Sequence, residues 1–426
     1  MSQSKSNGKH FMIVFGCMLL QAIPFGIAQN VPPLFMSYLT DNFGFSLAGV
    51  GLIFTIGAVA ASIASPFGGK FYAKMSTRLV MTGGVIVASI GMFMNVFANS
   101  LLMFNIANAI IQIGTVTFSG LGVPYLIGTW FDESDKAKAL GVAFAGGSIG
   151  NFFLQPIFAN MLEKMATNSV AGLHRVYFIA AIAALVTGLL ILLFLIRDNK
   201  NVASVQAENK AEEATVELKG IGAANTRKVK GFWILAIGMF LVGLNIAAQS
   251  MQYANYLNHL DLKTVVGTVG STFAIFCLLG NVGGGVLFSK LGVFKSAVIA
   301  FIMQLISAGA MIILGMNPDL KFLAYVWAIF YGFTVFIYMS GPAVMIQDLF
   351  GMKESSETLG LFSIFFAVGF AIGNLIFGAI VDKVGYNIAW YFVIACIIIG
   401  FLILCLTIKG LERKGYKNMT PEQFNK

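Results

Sequence analysis

Charge is what this chain has least of. Asp, Glu, Lys and Arg make up 11% of its 426 residues, and residues 11–40, 42–69, 79–131, 139–162, 176–196, 231–258, 264–289, 296–318, 322–347, 358–381 and 384–408 contain none. With 58% hydrophobic residues and a mean hydropathy of +0.84, a soluble domain of this length could not keep its surface in water. Cysteine is scarce as well. Cys17, Cys277, Cys396 and Cys405 lie inside the apolar stretches, where they read as small core residues, and no disulfide or metal framework follows from them. The chain has no CxxC, no HExxH, no phosphate loop and no nucleophile set beside a base. Catalytic residues, cofactors, a metal centre and a nucleotide-driven pump are therefore not expected. His10, His174 and His259 fall at the ends of apolar stretches, which leaves no Asp, Glu or His at membrane depth for a proton relay.

What is there is apolar helix of membrane-crossing length. Nearly every charge-free stretch can cross the roughly 30 Å hydrocarbon layer. The 79–131 stretch is double length and breaks at Asn99-Ser100, so the sequence predicts an all-α membrane protein of twelve transmembrane helices. Twenty-two of the twenty-seven Lys and Arg fall in the tails and alternate loops; Lys164, Arg175, Lys263, Lys321 and Lys383 fall on the other side. This asymmetry puts both termini in the cytoplasm, with the plasma membrane as the expected location. The net charge of +9 sits on scattered loop residues without interleaved aromatics, a pattern that suits an anionic lipid leaflet and not a nucleic acid. The polar head MSQSKSNGKH before the first span superficially resembles a signal peptide, but the span is too long for one.

Residues 197–230 form the long polar interior segment, rich in Ala, Glu, Lys and Asn. They are expected to be a cytoplasmic linker, partly helical, between a six-helix bundle at 1–196 and another at 231–408, with a cytoplasmic tail at 409–426. The two halves repeat each other. The pattern G-x-x-I-G-N occurs at Gly146–Asn151 and again at Gly369–Asn374, 223 residues later. Pro124 aligns with Pro342 and Phe131 with Phe350, and the loops GGKFYAKMSTR and GGVLFSKLGVFK correspond. Two pseudo-symmetric bundles follow. Gly146, Gly150, Asn151, Gly369, Gly373 and Asn374 are expected at helix-packing or gating positions, because glycines three or four apart let helices approach closely.

Uncharged polar residues carry the remaining signal. Asn105, Asn108, Gln112, Thr115 and Ser119 are spaced 3, 4, 3 and 4, one stripe of the fourth span. The seventh span has Asn245, Gln249, Gln252, Tyr253 and Tyr256 on one face, the first has Gln21, Phe25 and Gln29 ahead of a kink at Pro32-Pro33, and the tenth has Tyr331, Thr334 and Tyr338. Such residues either line a path or tie neighbouring helices. Read as a path, the substrate-binding set is Gln21, Gln29, Asn108, Gln112, Tyr125, Asn245, Gln249, Tyr253, Tyr331 and Tyr338. Asn151, Gln155, Asn281 and Asn374 could complete the ring.

Six plus six helices, the long loop between them and the glycine-basic loops after the second and eighth spans resemble the major facilitator superfamily. In its inner-loop signature G-x-L-A-D-R-x-G-R-R, residues Gly69 to Arg78 match at the glycine and basic ends, while Ala73 and Ser289 stand where the aspartate would be. Pro124, Trp130-Phe131, Lys136, Leu140-Gly141 and Ala145 to Gly150 resemble the monocarboxylate and oxalate:formate branch, as does Gly378 to Tyr386. The resemblance implies a secondary transporter working by alternating access. It also places the first, fourth, seventh and tenth spans around the path and implies a small organic acid as substrate, with protons or a counter-substrate as partners of transport. Members of that branch usually hold the anion with a cation in the eighth or eleventh span, and 264–289 and 358–381 have none. A neutral or amphipathic solute is the alternative that uncharged stripes suit, and a non-transporting sensor is a third reading. The chain is expected to act as a monomer in the bilayer.

Overall fold

The computed structural model describes residues 2–131, 133–199 and 219–425. Among them the chain is helical throughout apart from turns and one bridge between Gly220 and Gly351. The spans are α1 (Gly8–Phe43), α2 (Leu47–Lys74), α3 (Thr77–Asn95), α4 (Leu101–Trp130), α5 (Glu133–Ala166), α6 (Val170–Phe194) and α7 (Lys230–His259). Next comes a helical stretch, Lys263–Met316, that Gly292 interrupts at φ 75°, a left-handed conformation open to glycine. Its two parts are α8 (263–291) and α9 (293–316). Then follow α10 (Phe322–Met339, extended by Gly341–Phe350), α11 (Ser355–Val384) and α12 (Tyr386–Glu412). The twelve spans read from the sequence are thus present, and the protein is an all-α membrane protein.

Local chemistry sets the boundaries. Ser46, Ser76, Ser100 and Ser169 each accept from a backbone N–H three residues on, at 3.0–3.4 Å, and so cap α2, α3, α4 and α6. The Asn99-Ser100 break falls between α3 and α4 as the sequence indicates. Two spans contain π segments. The first is π-helical over Gln21–Asn30, with Pro24 inside, and 3-10 over Pro32–Phe35. The wide turn gives the Pro24 ring room beside the preceding carbonyls, so Pro32-Pro33 alters the winding without ending the span. In α4 a π segment at Val116–Leu121 separates two α-helical parts.

Packing divides the chain into two compact units: α1–α6 with the first residues of α8 (Lys263–Ser271), and α7, the rest of α8 and α9–α12. Within the first, α1 lies against α5 and α6; within the second, α7 lies against α11 and α12. The repeated glycine pattern sits at these contacts. A Cβ on Gly146 or Gly150 would collide with the carbonyl oxygens of Met18 or Ala22 in α1. On Gly369 or Gly373 it would meet those of Phe240 or Leu244 in α7. The motif returns because each unit needs one helix pair in backbone contact, where dispersion and not the hydrophobic effect holds helices together. Large apolar side chains such as Phe97, Leu102, Phe194, Val282 and Leu406 are 62–71% exposed, as lipid-facing residues are.

Residues 200–218, most of the expected linker, lie outside the described residues. From Lys219 onward the segment folds onto the second unit. Met352 and Lys353 donate their N–H groups to the Lys219 carbonyl at 2.8 and 3.1 Å, the Ala223 N–H donates to Glu354 Oε2 at 2.8 Å, and Arg227 pairs with Glu357. The helix α12 runs to Glu412, into the expected tail at 409–426. Beyond it Lys417 pairs with Asp348 at 2.6 Å, and Thr420 and Gln423 form a reciprocal cap.

Candidate functional site

The polar stripes meet inside each unit. In the first, Gln112 Nε2 donates to Gln29 Oε1 at 2.9 Å, and Ser119 Oγ donates to Gln21 Oε1 at 3.0 Å. The second bond joins the π segments of α1 and α4. Gln21 is 1% exposed, and its Nε2 has no protein acceptor. The Gln29–Gln112 pair is half-buried. Asn108 turns elsewhere, its Nδ2 donating to the Ile53 carbonyl of α2 at 2.7 Å. Gln155 Nε2 donates to Asn151 Oδ1 at 2.8 Å and to the Asn30 carbonyl at 2.7 Å, binding α5 to α1 beside Gly150. The Tyr125 ring lies 5.0 Å from that of Tyr72, whose hydroxyl donates to the Thr117 carbonyl. Thr115 bonds back to its own helix.

The second unit is built around Gln249. Its Nε2 donates to Asn245 Oδ1 at 2.6 Å and to Gln304 Oε1 at 2.7 Å, while its Oε1 accepts from Ser307 Oγ and Trp327 Nε1, both at 3.1 Å. All four hydrogen-bonding positions of the amide are used, and the side chain is fully buried. Gln304 passes the network on to Thr334 Oγ1 at 2.6 Å, so α7, α9 and α10 are tied at one level. The Tyr331 hydroxyl donates to the Ile246 carbonyl, and Tyr253 and Tyr331 stack on Trp327 with ring centres 4.8 and 5.3 Å away. Tyr338 hydrogen-bonds the side chain of Tyr331, and its ring lies parallel to that of Phe366 at 5.8 Å. Gln252 Nε2 donates to Asn374 Oδ1 at 2.6 Å and joins α7 to α11 beside Gly373, as the bond from Gln155 to the Asn30 carbonyl joins α5 to α1. Asn374 is 1% exposed, with Nδ2 lacking a protein acceptor.

Gln304, Ser307 and Trp327 were outside the sequence-derived set. A lone glutamine in the apolar 296–318 stretch was the available signal. The histidines are held at helix ends: His10 Nε2 lies 2.8 Å from the Trp130 carbonyl, His174 Nε2 3.0 Å from that of Ala98, and the His259 ring lies tilted against that of Tyr386, with centres 4.5 Å apart. The arrangement therefore offers two kinds of amide. The Gln249 cluster is closed on itself, whereas Gln21 and Asn374 each keep a buried donor without a protein acceptor.

A family model described as Major Facilitator Superfamily matches residues 17–373 and 235–423. The oxalate:formate antiporter of Oxalobacter formigenes is 25% identical over 435 residues, covering 98% of this chain and 96% of its own. Monocarboxylate transporter 12-B of Danio rerio is 22% identical over 445 residues, covering 96% and 90%. Among solved structures, the nucleoside transporter NupG superposes with a TM-score of 0.73 at 16% identity, over 95% of this chain and 98% of its own. The D-xylose-proton symporter gives 0.70 at 13%, over 92% and 97%. These two share the fold. With the family model spanning nearly the whole chain, this protein belongs to the Major Facilitator Superfamily and is a multi-pass membrane transporter, not an enzyme.

Proposed function

We propose that the protein moves a small organic acid of the monocarboxylate class across the plasma membrane by alternating access, with both termini cytoplasmic. The observation that carries the reading is the buried Gln21 Nε2, a donor with no protein acceptor at the junction of two π segments. π segments inside α-helices frequently mark functional sites. A carboxylate entering the membrane needs donors to replace its water, and uncharged amides can supply them where a cation is lacking. Asn374 Nδ2 offers the same chemistry in the second unit, and the half-buried Gln29–Gln112 pair extends it in the first. The match along nearly the whole length of an oxalate:formate antiporter supports the acid class. Tyr125, Tyr253, Tyr331 and Tyr338 supply aromatic walls in this reading, while Asn108, Asn245 and Gln249 hold the helices that carry them.

Because the charge-free stretches that cross the hydrocarbon layer lack carboxylates, exchange of one acid for another, or entry of a proton on the undissociated acid, fits better than a side-chain relay. A neutral or amphipathic solute is the second reading, favoured by the absence of cations from 264–289 and 358–381. A thermal-shift screen of the purified protein separates the two, since a ligand that binds the native state raises its melting temperature. Stabilisation by mono- and dicarboxylates, lost in Gln21→Leu, supports the acid; stabilisation by sugars, nucleosides or neutral aromatics alone replaces it with the second reading.

A further inference from the structure

The amino-terminal parts of α1 and α5 form a groove that the transport reading does not use. Deeper in the first unit the two helices touch at Gly146, where a Cβ would meet the Met18 carbonyl oxygen at 2.1 Å. Toward their starts a groove of about 640 Å³ opens between them, with Met18 at its inner end, Phe11, Val14 and Phe15 on the α1 side and Ala139 and Val142 on the α5 side. Sites that hold a small molecule are typically of roughly 300–1,000 Å³. The α1 wall is fixed in shape. The Phe11 and Phe15 rings stack with centres 5.9 Å apart and planes 8° from parallel, and the His10 ring packs edge-on against Phe131 at 4.9 Å.

The groove crosses the level at which both helices enter the hydrocarbon layer. His10 stands just before the charge-free stretch 11–40 and Lys138 just before 139–162, and both line the polar end together with Asp135. From Phe11 to Met18 α1 rises about 10 Å, against roughly 15 Å for half of the hydrocarbon layer. Phe11 is 71% exposed and Val142 51%, so the walls call for an apolar occupant about as long as a leaflet is deep. At the polar end Lys138 Nζ lies 3.1 Å from Asp135 Oδ1, with the two side chains 80% and 63% exposed. So exposed a pair contributes little to stability, and its charges stay open to a partner that carries the opposite two. Inorganic phosphate would meet Lys138 alone and leave the walls bare. An anionic lipid would set its headgroup against Asp135. A phosphate and an ammonium on one amphiphile satisfy both charges and cover the walls.

We propose that the groove between α1 and α5 binds one phospholipid with a zwitterionic, primary-amine headgroup, its phosphate on Lys138, its ammonium on Asp135 and an acyl chain along Phe11, Phe15 and Val142. A primary ammonium donates N–H bonds to the carboxylate, which a trimethylated one cannot. The site lies apart from the residues assigned to the solute, so it stands whatever the solute is.

The test uses the full chain in detergent, offered an equimolar mixture of phosphatidylethanolamine, phosphatidylcholine and phosphatidylglycerol, with retained lipid read by native mass spectrometry. The expected result is one phosphatidylethanolamine held severalfold more often than either of the others. Asp135→Ala with Lys138→Ala should abolish that preference, and Val142→Trp, which fills the groove from an exposed position, should displace the lipid. No retained lipid, equal retention of the three, a preference for phosphatidylglycerol, or a preference that survives the charge variant overturns the proposal. If Val142→Trp does not fold, the charge variant decides alone, because both of its side chains are exposed.

Discussion

At the scale of single residues, the difference between Gln21 and Gln249 is one of saturation. Gln249 spends both donors and both lone pairs on protein partners, so Gln249→Leu would strand Trp327 Nε1 and Asn245 Oδ1, while Ser307 Oγ keeps the Gln304 carbonyl and Gln304 keeps Asn245 Nδ2 and Thr334. A buried group left without a partner costs about 1–3 kcal/mol, and the expected outcome is a melting temperature lowered by several degrees, read by thermal unfolding in detergent. Gln21→Leu strands only the Ser119 hydroxyl, which can turn back to a carbonyl of its own helix. It should leave the melting temperature close to that of the parent and lower uptake at least tenfold. Equal destabilisation by the two substitutions would remove the distinction. The amide stripes were legible in the sequence from their 3 and 4 spacing. Whether each amide ties helices or stays open was not, because that depends on the neighbour it meets. Gln304 has Ser307 at stripe spacing in its own helix, but a single Gln–Ser pair does not mark the helix it will meet.

At the scale of helices, the glycine motif makes the sharper prediction. Gly150→Ala would push a methyl group into the Ala22 carbonyl, and Gly373→Ala one into that of Leu244, whereas a Cβ on Gly141, also in α5, meets nothing within 4 Å. The first two should reduce folded protein recovered from membranes severalfold, and Gly141→Ala should not, as monitored by size-exclusion chromatography. The repeat was readable without coordinates because close helix contact favours small residues at fixed spacing, and here a Cβ at any of the four glycines would meet a carbonyl oxygen at 1.8–2.5 Å. The serine caps and the break before Leu101 were readable for a similar reason: each rests on one residue's local chemistry. The π segments were not. In α4 the polar positions keep their 3 and 4 spacing up to Ser119, which lies inside the π segment, so the pattern carried no mark of the change in winding. The folding of Lys219 to Val229 onto the second unit was hidden too, since its anchors, Glu354 and Glu357, lie more than 120 residues away in the chain.

At the scale of the whole molecule, the account describes a transporter whose spans hold no ionised side chain at depth. Exchange of one carboxylate for another should therefore proceed at nearly the same rate between about pH 6 and pH 8 in proteoliposomes, where a histidine relay would titrate. A rate that changes tenfold across that interval would require a titrating group in the cycle, and His259 beside Tyr386 would then be the first to replace. Surface ion pairs contribute little at this scale. Lys417–Asp348 and Arg227–Glu357 are substantially exposed, and such pairs are worth about 0–1 kcal/mol. The central claim is that uncharged donors carry a small organic acid, and labelled-substrate exchange in proteoliposomes tests it most directly. Vesicles loaded with unlabelled formate, oxalate or lactate should accumulate the labelled acid, and should fail to do so with Gln21→Leu. Accumulation of a labelled nucleoside or sugar, with none of any carboxylate, would contradict it.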